Sequence, residues 1–162
     1  MKYTFEKFKL NEKILKSLKS LGYNIPSRVQ REVIPKLLKG QNLVVRSKTG
    51  SGKTASFAIP LCENINVDYN NIQALIVVRT RELALQVKDE ISDIGRLKKV
   101  RCSAIFGKQS IKDQIAELKQ RVHIVVATPG RILDHINRGS IKLENVKYLV
   151  IDEADKMFNK GF

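Results

Sequence analysis

A glycine-rich octapeptide, Ser47-Lys48-Thr49-Gly50-Ser51-Gly52-Lys53-Thr54, follows the apolar run Leu43–Val45 and opens a helical pattern, and this junction restricts the fold more than any other feature of the chain. Its glycines let backbone N–H groups turn inward around phosphates, Lys53 can reach the terminal phosphates, and the Thr54 hydroxyl can hold Mg²⁺ at a helix N-terminus. Ser47 stands where the general pattern has its first glycine, so that position must do without a positive φ. A second apolar run, Tyr148–Ile151, ends in Asp152-Glu153-Ala154-Asp155. In an open α/β sheet a carboxylate at the carboxyl end of a buried strand faces the ligand crevice. There Asp152 can hold the metal's water shell and Glu153 can polarise an attacking water. Either half alone reads equally well as a strand-to-helix turn or a helix N-cap. In this order, each directly after a buried strand, they describe a nucleotide-hydrolysing site.

Short apolar runs alternate with helical patterns along the whole chain. Strands are expected at Leu43–Val45, Ala74–Val78, Cys102–Phe106, Ile124–Ala127 and Tyr148–Ile151. They are rich in β-branched residues and mostly non-alternating, as strands buried on both faces of a parallel sheet are. Crossover helices are expected at Lys53–Asn64, Arg81–Ile94, Ser110–Gln120 and Pro129–Asn137, the last capped by Thr128 with Pro129 in its first turn. Two more, at Asn11–Leu21 and Ser27–Leu38, precede the first strand, the second kinked at Pro35. The 162 residues, 43% hydrophobic, suffice for one domain with a buried core.

Thirty Lys+Arg against sixteen Asp+Glu leave a formal charge of +14, which suits a polyanionic partner. Many of these lysines, Lys13, Lys16 and Lys19 among them, interleave with Ile14, Leu18 and Leu21 and describe the solvated face of an amphipathic helix. The N-terminus has no apolar signal region and no stretch approaches a membrane span, so the expectation is a cytoplasmic protein. Cys62 and Cys102 sit in apolar surroundings without metal-ligand spacing and are expected as reduced, buried thiols. His123 and His135 read as packing or surface residues rather than ligands.

The letters Asp-Glu-Ala-Asp, with the motifs around them, resemble the DEAD-box ATP-dependent RNA helicases. Gly22-Tyr23-Asn24-Ile25-Pro26-Ser27-Arg28-Val29-Gln30 is similar to the family's Q motif, within residues 1–40, with Phe5 as its isolated upstream aromatic. Thr80-Arg81-Glu82-Leu83-Ala84 and Thr128-Pro129-Gly130-Arg131 are similar to its first-lobe RNA-contact motifs. Arg79 replaces the usual proline before Thr80, and Lys108 replaces the second glycine of a pair beginning at Gly107. The resemblance implies that residues 1–162 are the helicase ATP-binding domain: an N-terminal RecA-like lobe with the P-loop NTPase fold, a parallel sheet flanked by helices, truncated at its C-terminus. It further implies ATP and Mg²⁺ as cofactors and RNA as partner, held through Arg81, Gly107, Thr128, Gly130 and Arg131. Asp155 would link the ATP site to later motifs, and a second RecA-like lobe is expected but absent. Ile59-Pro60-Leu61-Cys62-Glu63 and Leu133-Asp134-His135-Ile136 are similar to a bacterial ribosome-associated branch.

Within the Q motif the chemistry can be read from the residues. A glutamine amide offers a donor and an acceptor, matching adenine's N7 and N6 and mismatching guanine's two acceptors, so Gln30 should select ATP over GTP. Tyr23 can lie flat against the adenine while Phe5 braces the segment. The plain alternative is that Tyr23 and Gln30 pack and cap a helix start. Helix N-termini after Thr80 and Thr128 offer free N–H groups to phosphates and read backbone, not sequence. Phe162 lies ten residues beyond Asp152, which leaves no room for the family's Ser-Ala-Thr strand. Leu43–Val45 and Tyr148–Ile151 are therefore expected to carry unpaired edges, and the chain alone to show little ATPase and no unwinding. The alternatives are a non-catalytic nucleotide- and RNA-binding module and a DNA-acting relative.

Overall fold

The computed structural model describes residues 2–159. Met1 and residues 160–162, the ends of the expected 1–162 domain, lie outside the described residues. The chain divides into two compact units, Met1–Asn66 with Glu90–Val100, and Val67–Asp89 with Arg101–Phe162.

The first unit is helical. A 3-10 turn over Phe5–Phe8, unforeseen in the sequence, precedes α1 (Glu12–Ser20), α2 (Arg28–Leu38) and α3 (Lys53–Asn64). Asn11 caps α1 through Lys13 N, and Ser27 and Gln30 form a reciprocal capping box at the start of α2. Helix α2 continues through Pro35 to Leu38. Helix α3 buries every residue from Ala55 to Cys62, as expected of a helix apolar all round, and packs against α2 and α1. Its last carbonyls are collected by Lys98, whose Nζ donates to the oxygens of Cys62, Glu63 and Ile65. The ammonium thereby satisfies groups that a helix end leaves without partners. Burial pushes the Cys62 thiol up to about 12, so it stays protonated and inert, as its apolar surroundings suggested, whereas Cys102, expected buried as well, is only half-buried at the start of its strand.

The second unit is the sheet. Strands β1 (Ala74–Val77), β2 (Cys102–Ile105), β3 (Ile124–Ala127) and β4 (Tyr148–Ile151) are all parallel, in the order β2-β3-β1-β4. Ala74 is in register with Ile124 and Tyr148, and Val77 with Ile151. Helices α5 (Ile111–Leu118), α6 (Pro129–Arg138) and α7 (Ala154–Asn159) belong to this unit, while α4 (Arg81–Gly95) starts in it and ends in the first. The core joins Leu75, Ile105 and Val125 to Ile132 and Ile141. Among the described residues no helix is long and apolar enough to cross a membrane.

One expected element is missing. Leu43–Val45 forms no strand, and Val44 is fully exposed. Strand character needs a neighbour for its N–H and C=O groups, and apolar sequence cannot supply one. The corresponding expectation for Tyr148–Ile151 holds: β4 is an end strand, with Leu149 and Ile151 exposed.

Candidate functional site

The phosphate loop lies in the first unit. Gly50 and Gly52 take the left-handed backbone at φ +80° and +85°, and Gly52 is the N-cap residue of α3. Ser47 has no positive φ, as its side chain requires; its Oγ accepts from Ser51 Oγ at 3.0 Å. Lys48, Thr49 and Gly50 are exposed, while Lys53 and Thr54 start α3 half-buried. Free N–H groups of the first turn of a twelve-residue helix, two cationic side chains and a hydroxyl thus meet on one loop. That is the equipment an oligophosphate requires. A cleft of about 540 Å³ borders the loop and is lined by Arg28, Lys36, Arg46 and Lys48 among others.

Gln30 is nearly fully buried, and its amide is tied on both sides. Nε2 donates to the Gly52 carbonyl at 3.2 Å, and Oε1 accepts from Ser27 N at 2.9 Å. An amide has two protons and two lone-pair positions, so each end is half used and one donor and one acceptor remain. The link from the Q motif to the phosphate loop was not legible in the sequence, because Gln30 and Gly52 are 22 residues apart. Tyr23 donates its hydroxyl to Glu90 at 2.8 Å and meets Phe5 edge-on, the ring centroids 6.0 Å apart. Burial, then the Glu90 bond, raises the phenol's pKa above its usual range and keeps it a donor. Phe5 does brace this segment, packing also against Phe8.

Asp152 and Glu153 leave β4 in the second unit. Asp152 is buried, and its Oδ1 accepts from Glu153 N at 3.0 Å. Glu153 takes a left-handed backbone, φ +52°. Its Oε2 accepts from Arg79 Nε at 3.2 Å and its Oε1 lies 3.4 Å from Lys156 Nζ. Asp155 starts α7. The described residues hold no cluster of three or more His, Cys, Asp or Glu that could hold a metal ion. The Thr54 hydroxyl in the first unit and the Asp152 carboxylate in the second are each an oxygen donor of the kind Mg²⁺ accepts, an ion that keeps most of its waters and takes few protein ligands.

The residues expected to meet RNA leave three consecutive parallel strands from the same end. After β1, Thr80 Oγ1 caps α4 through Leu83 N at 3.2 Å, and the exposed Arg81 guanidinium stands over the Phe106 ring at 5.3 Å. After β2, Gly107 is followed by Lys108, which takes φ +63°. The position where the family pattern has glycine thus takes, in this chain, a backbone conformation that favours glycine. After β3, Thr128 is the N-cap residue of α6, but its side chain makes no cap bond, so the capping role expected of it is not filled. Gly130 is exposed and open.

Arg131 is less free than its motif suggested. Its Nη1 donates to Gln109 O at 2.9 Å and to Gln114 Oε1 at 3.0 Å, so a phosphate would have to be met by Nη2. The same Gln114 oxygen lies 3.0 Å from His135 Nε2, and Gln114 Nε2 donates to Phe106 O at 2.9 Å. Gln114 is the organiser of this end of the sheet, and sequence reasoning missed it. A glutamine on an amphipathic helix carries no signal of being buried. His135 and His123 are both fully buried, so of the packing or surface positions expected for them both take the packing one.

A family model described as DEAD/DEAH box helicase matches residues 27–162. The ATP-dependent RNA helicase DbpA of Bacillus subtilis is 56% identical over 158 residues, which is 98% of this chain and 33% of that protein. The DEAD-box ATP-dependent RNA helicase CshA of Geobacillus kaustophilus is 45% identical over 98% of the chain and 34% of its own length. The chain therefore spans about a third of the length of these curated relatives. Among solved structures, a DEAD box protein from the hyperthermophile Methanococcus jannaschii superposes with a TM-score of 0.92 at 47% identity, covering 98% of this chain and 43% of that one. The Saccharomyces cerevisiae Dbp5 variant bound to RNA and ADP BeF3 superposes at 0.89 and 28% identity, over 98% and 40%. By sequence and by fold, the chain belongs to the DEAD/DEAH box helicase family.

Proposed function

We propose that this chain is the ATP-binding lobe of a cytoplasmic ATP-dependent RNA helicase. The observation that carries the reading is the bond from Gln30 to Gly52, which joins a side chain able to recognise adenine to the loop able to hold its phosphates. In this reading the remaining donor and acceptor of Gln30 meet adenine N7 and N6, and Tyr23 borders the base. Lys53, with the N–H groups of residues 47–54, neutralises the phosphates. Thr54 and Asp152 are the residues that would hold Mg²⁺, whose charge would offset that developing on the phosphates. Glu153 accepts the proton of the water that attacks the terminal phosphorus as the bond to the leaving diphosphate breaks. Arg81, Gly107, Lys108, Thr128, Gly130 and the Nη2 group of Arg131 hold RNA through its backbone, so binding is indifferent to base sequence and steeply weakened by salt.

Calorimetric titration tests the nucleotide half. The chain should prefer ATP to GTP, Gln30→Ala should narrow that preference, and Lys53→Ala should weaken ATP by up to several kcal/mol, the range of a charge-assisted phosphate contact. Equal affinity for the two nucleotides in the unmodified chain would refute the adenine-reading role. Strand separation is expected only when this lobe works with a second one. Robust unwinding by the 162-residue chain itself would overturn that division of labour.

A further inference from the structure

Arg79 and Glu153 leave neighbouring parallel strands at equivalent heights. Val77 is in register with Ile151, and each of the two residues lies two positions further on. Their side chains close an ion pair of 3.2 Å at 26% and 28% exposure, so solvent and ligands can still reach both. Lys156 takes the other carboxylate oxygen. Arg79 also stands directly before Thr80 and Arg81, which open α4 beside Phe106. A single guanidinium therefore connects the carboxylate read as the hydrolytic base with the segment read as a phosphate track. Its Nε is used by Glu153, while Nη1 and Nη2 present the fork that matches a phosphate.

We propose that Arg79 is a further RNA-phosphate contact held in reserve by Glu153, so that the carboxylate and the RNA backbone draw on the same positive charge. The inference rests on the RNA reading above. An arginine already neutralised by a carboxylate gains less from a phosphate than a free one. By linkage the effect is reciprocal: a phosphate on Arg79 loosens its hold on Glu153. RNA arrival thereby releases the base, and it does so through one residue that departs from the family's usual proline.

A double-mutant cycle on the whole chain tests this with a fluorescent oligouridine and binding measured over a series of salt concentrations. Glu153→Gln in the native background should tighten binding about three- to fivefold and steepen the log–log salt slope by about 0.7, the value of one added single-strand phosphate contact. In an Arg79→Ala or Arg79→Gln background the same substitution should shift affinity less than twofold and leave the slope unchanged. Glu144→Gln, at an exposed position, removes the same charge and measures its general effect. Equal effects of Glu153→Gln in both backgrounds, with the native chain binding RNA normally, would overturn the inference and leave the proposed function intact. No salt-sensitive binding in any variant would overturn the RNA reading and this inference with it, while the ATP titration remains an independent judge of the nucleotide half.

Discussion

Gly50 and Gly52 share a left-handed backbone but not their surroundings, and comparing them bears on the contact between phosphate loop and Q motif. Both occupy the left-handed region, so an alanine at either site costs about 1–2 kcal/mol for the Cβ alone. A Cβ on Gly50 would meet open space, whereas one on Gly52 would lie 2.5 Å from Gln30 Nε2 and 3.2 Å from Ser27 Oγ. Gln30 can swing aside, but only by giving up its bond to Gly52 O and its acceptance from Ser27 N. Each lost bond is worth about 1 kcal/mol, more where a buried group is left unsatisfied. Gly52→Ala should therefore destabilise by about 3–4 kcal/mol and Gly50→Ala by about 1–2 kcal/mol, a difference of about 2 kcal/mol. The chain has no tryptophan, so urea unfolding followed by far-ultraviolet circular dichroism is the suitable assay, with m-values compared to exclude a changed denatured state. If the two variants lose stability equally, within about 0.5 kcal/mol, the Gln30–Gly52 contact carries no stability and the reasoning is refuted.

Lys108→Gly should raise stability by about 0.5–1 kcal/mol, because the exposed lysine already holds φ +63°; a thermal midpoint that fails to rise would contradict this. Arg131→Ala should cost about 1–2 kcal/mol through its bonds to Gln109 and Gln114, whereas Arg81→Ala, losing an exposed cation–π contact, should cost under about 1 kcal/mol; the reverse order in denaturation would refute the network. Burial, then neighbouring arginines, lowers the pKa of His123 and His135 below the ordinary imidazole value of 6.5. Their neutral forms therefore contribute stability that is complete above about pH 6.5 and is lost as the pH falls through the lower folded values. His123 Nδ1 accepts from Arg101 N at 3.0 Å and cannot do so once protonated. Unfolding free energies that stay level from pH 7.5 to 5.5 would sink this account.

What the sequence determined by itself was local. The bounds of α3, β3 and β4 were legible to the residue, since hydrophobic period, the glycines ahead of Lys53 and the proline after Thr128 act on neighbouring dihedrals. So was the left-handed demand at Gly50 and Gly52, and the failure of Ser47 to share it. The candidate site residues were legible as residue types in order along the chain. Their partners were not. Whether Leu43–Val45 becomes a strand depends on a neighbour that no residue within the run can provide. Gln30 finds Gly52 across 22 residues, Arg131 finds Gln114 across 17, and Arg79 finds Glu153 across 74. Backbone preference is set by the residue and its immediate neighbours, whereas a hydrogen-bond partner is chosen by whatever the packed chain brings within about 3 Å. Tertiary structure therefore decided that the Gln30 amide is wired to the phosphate loop, and that the Glu153 carboxylate is held by Arg79.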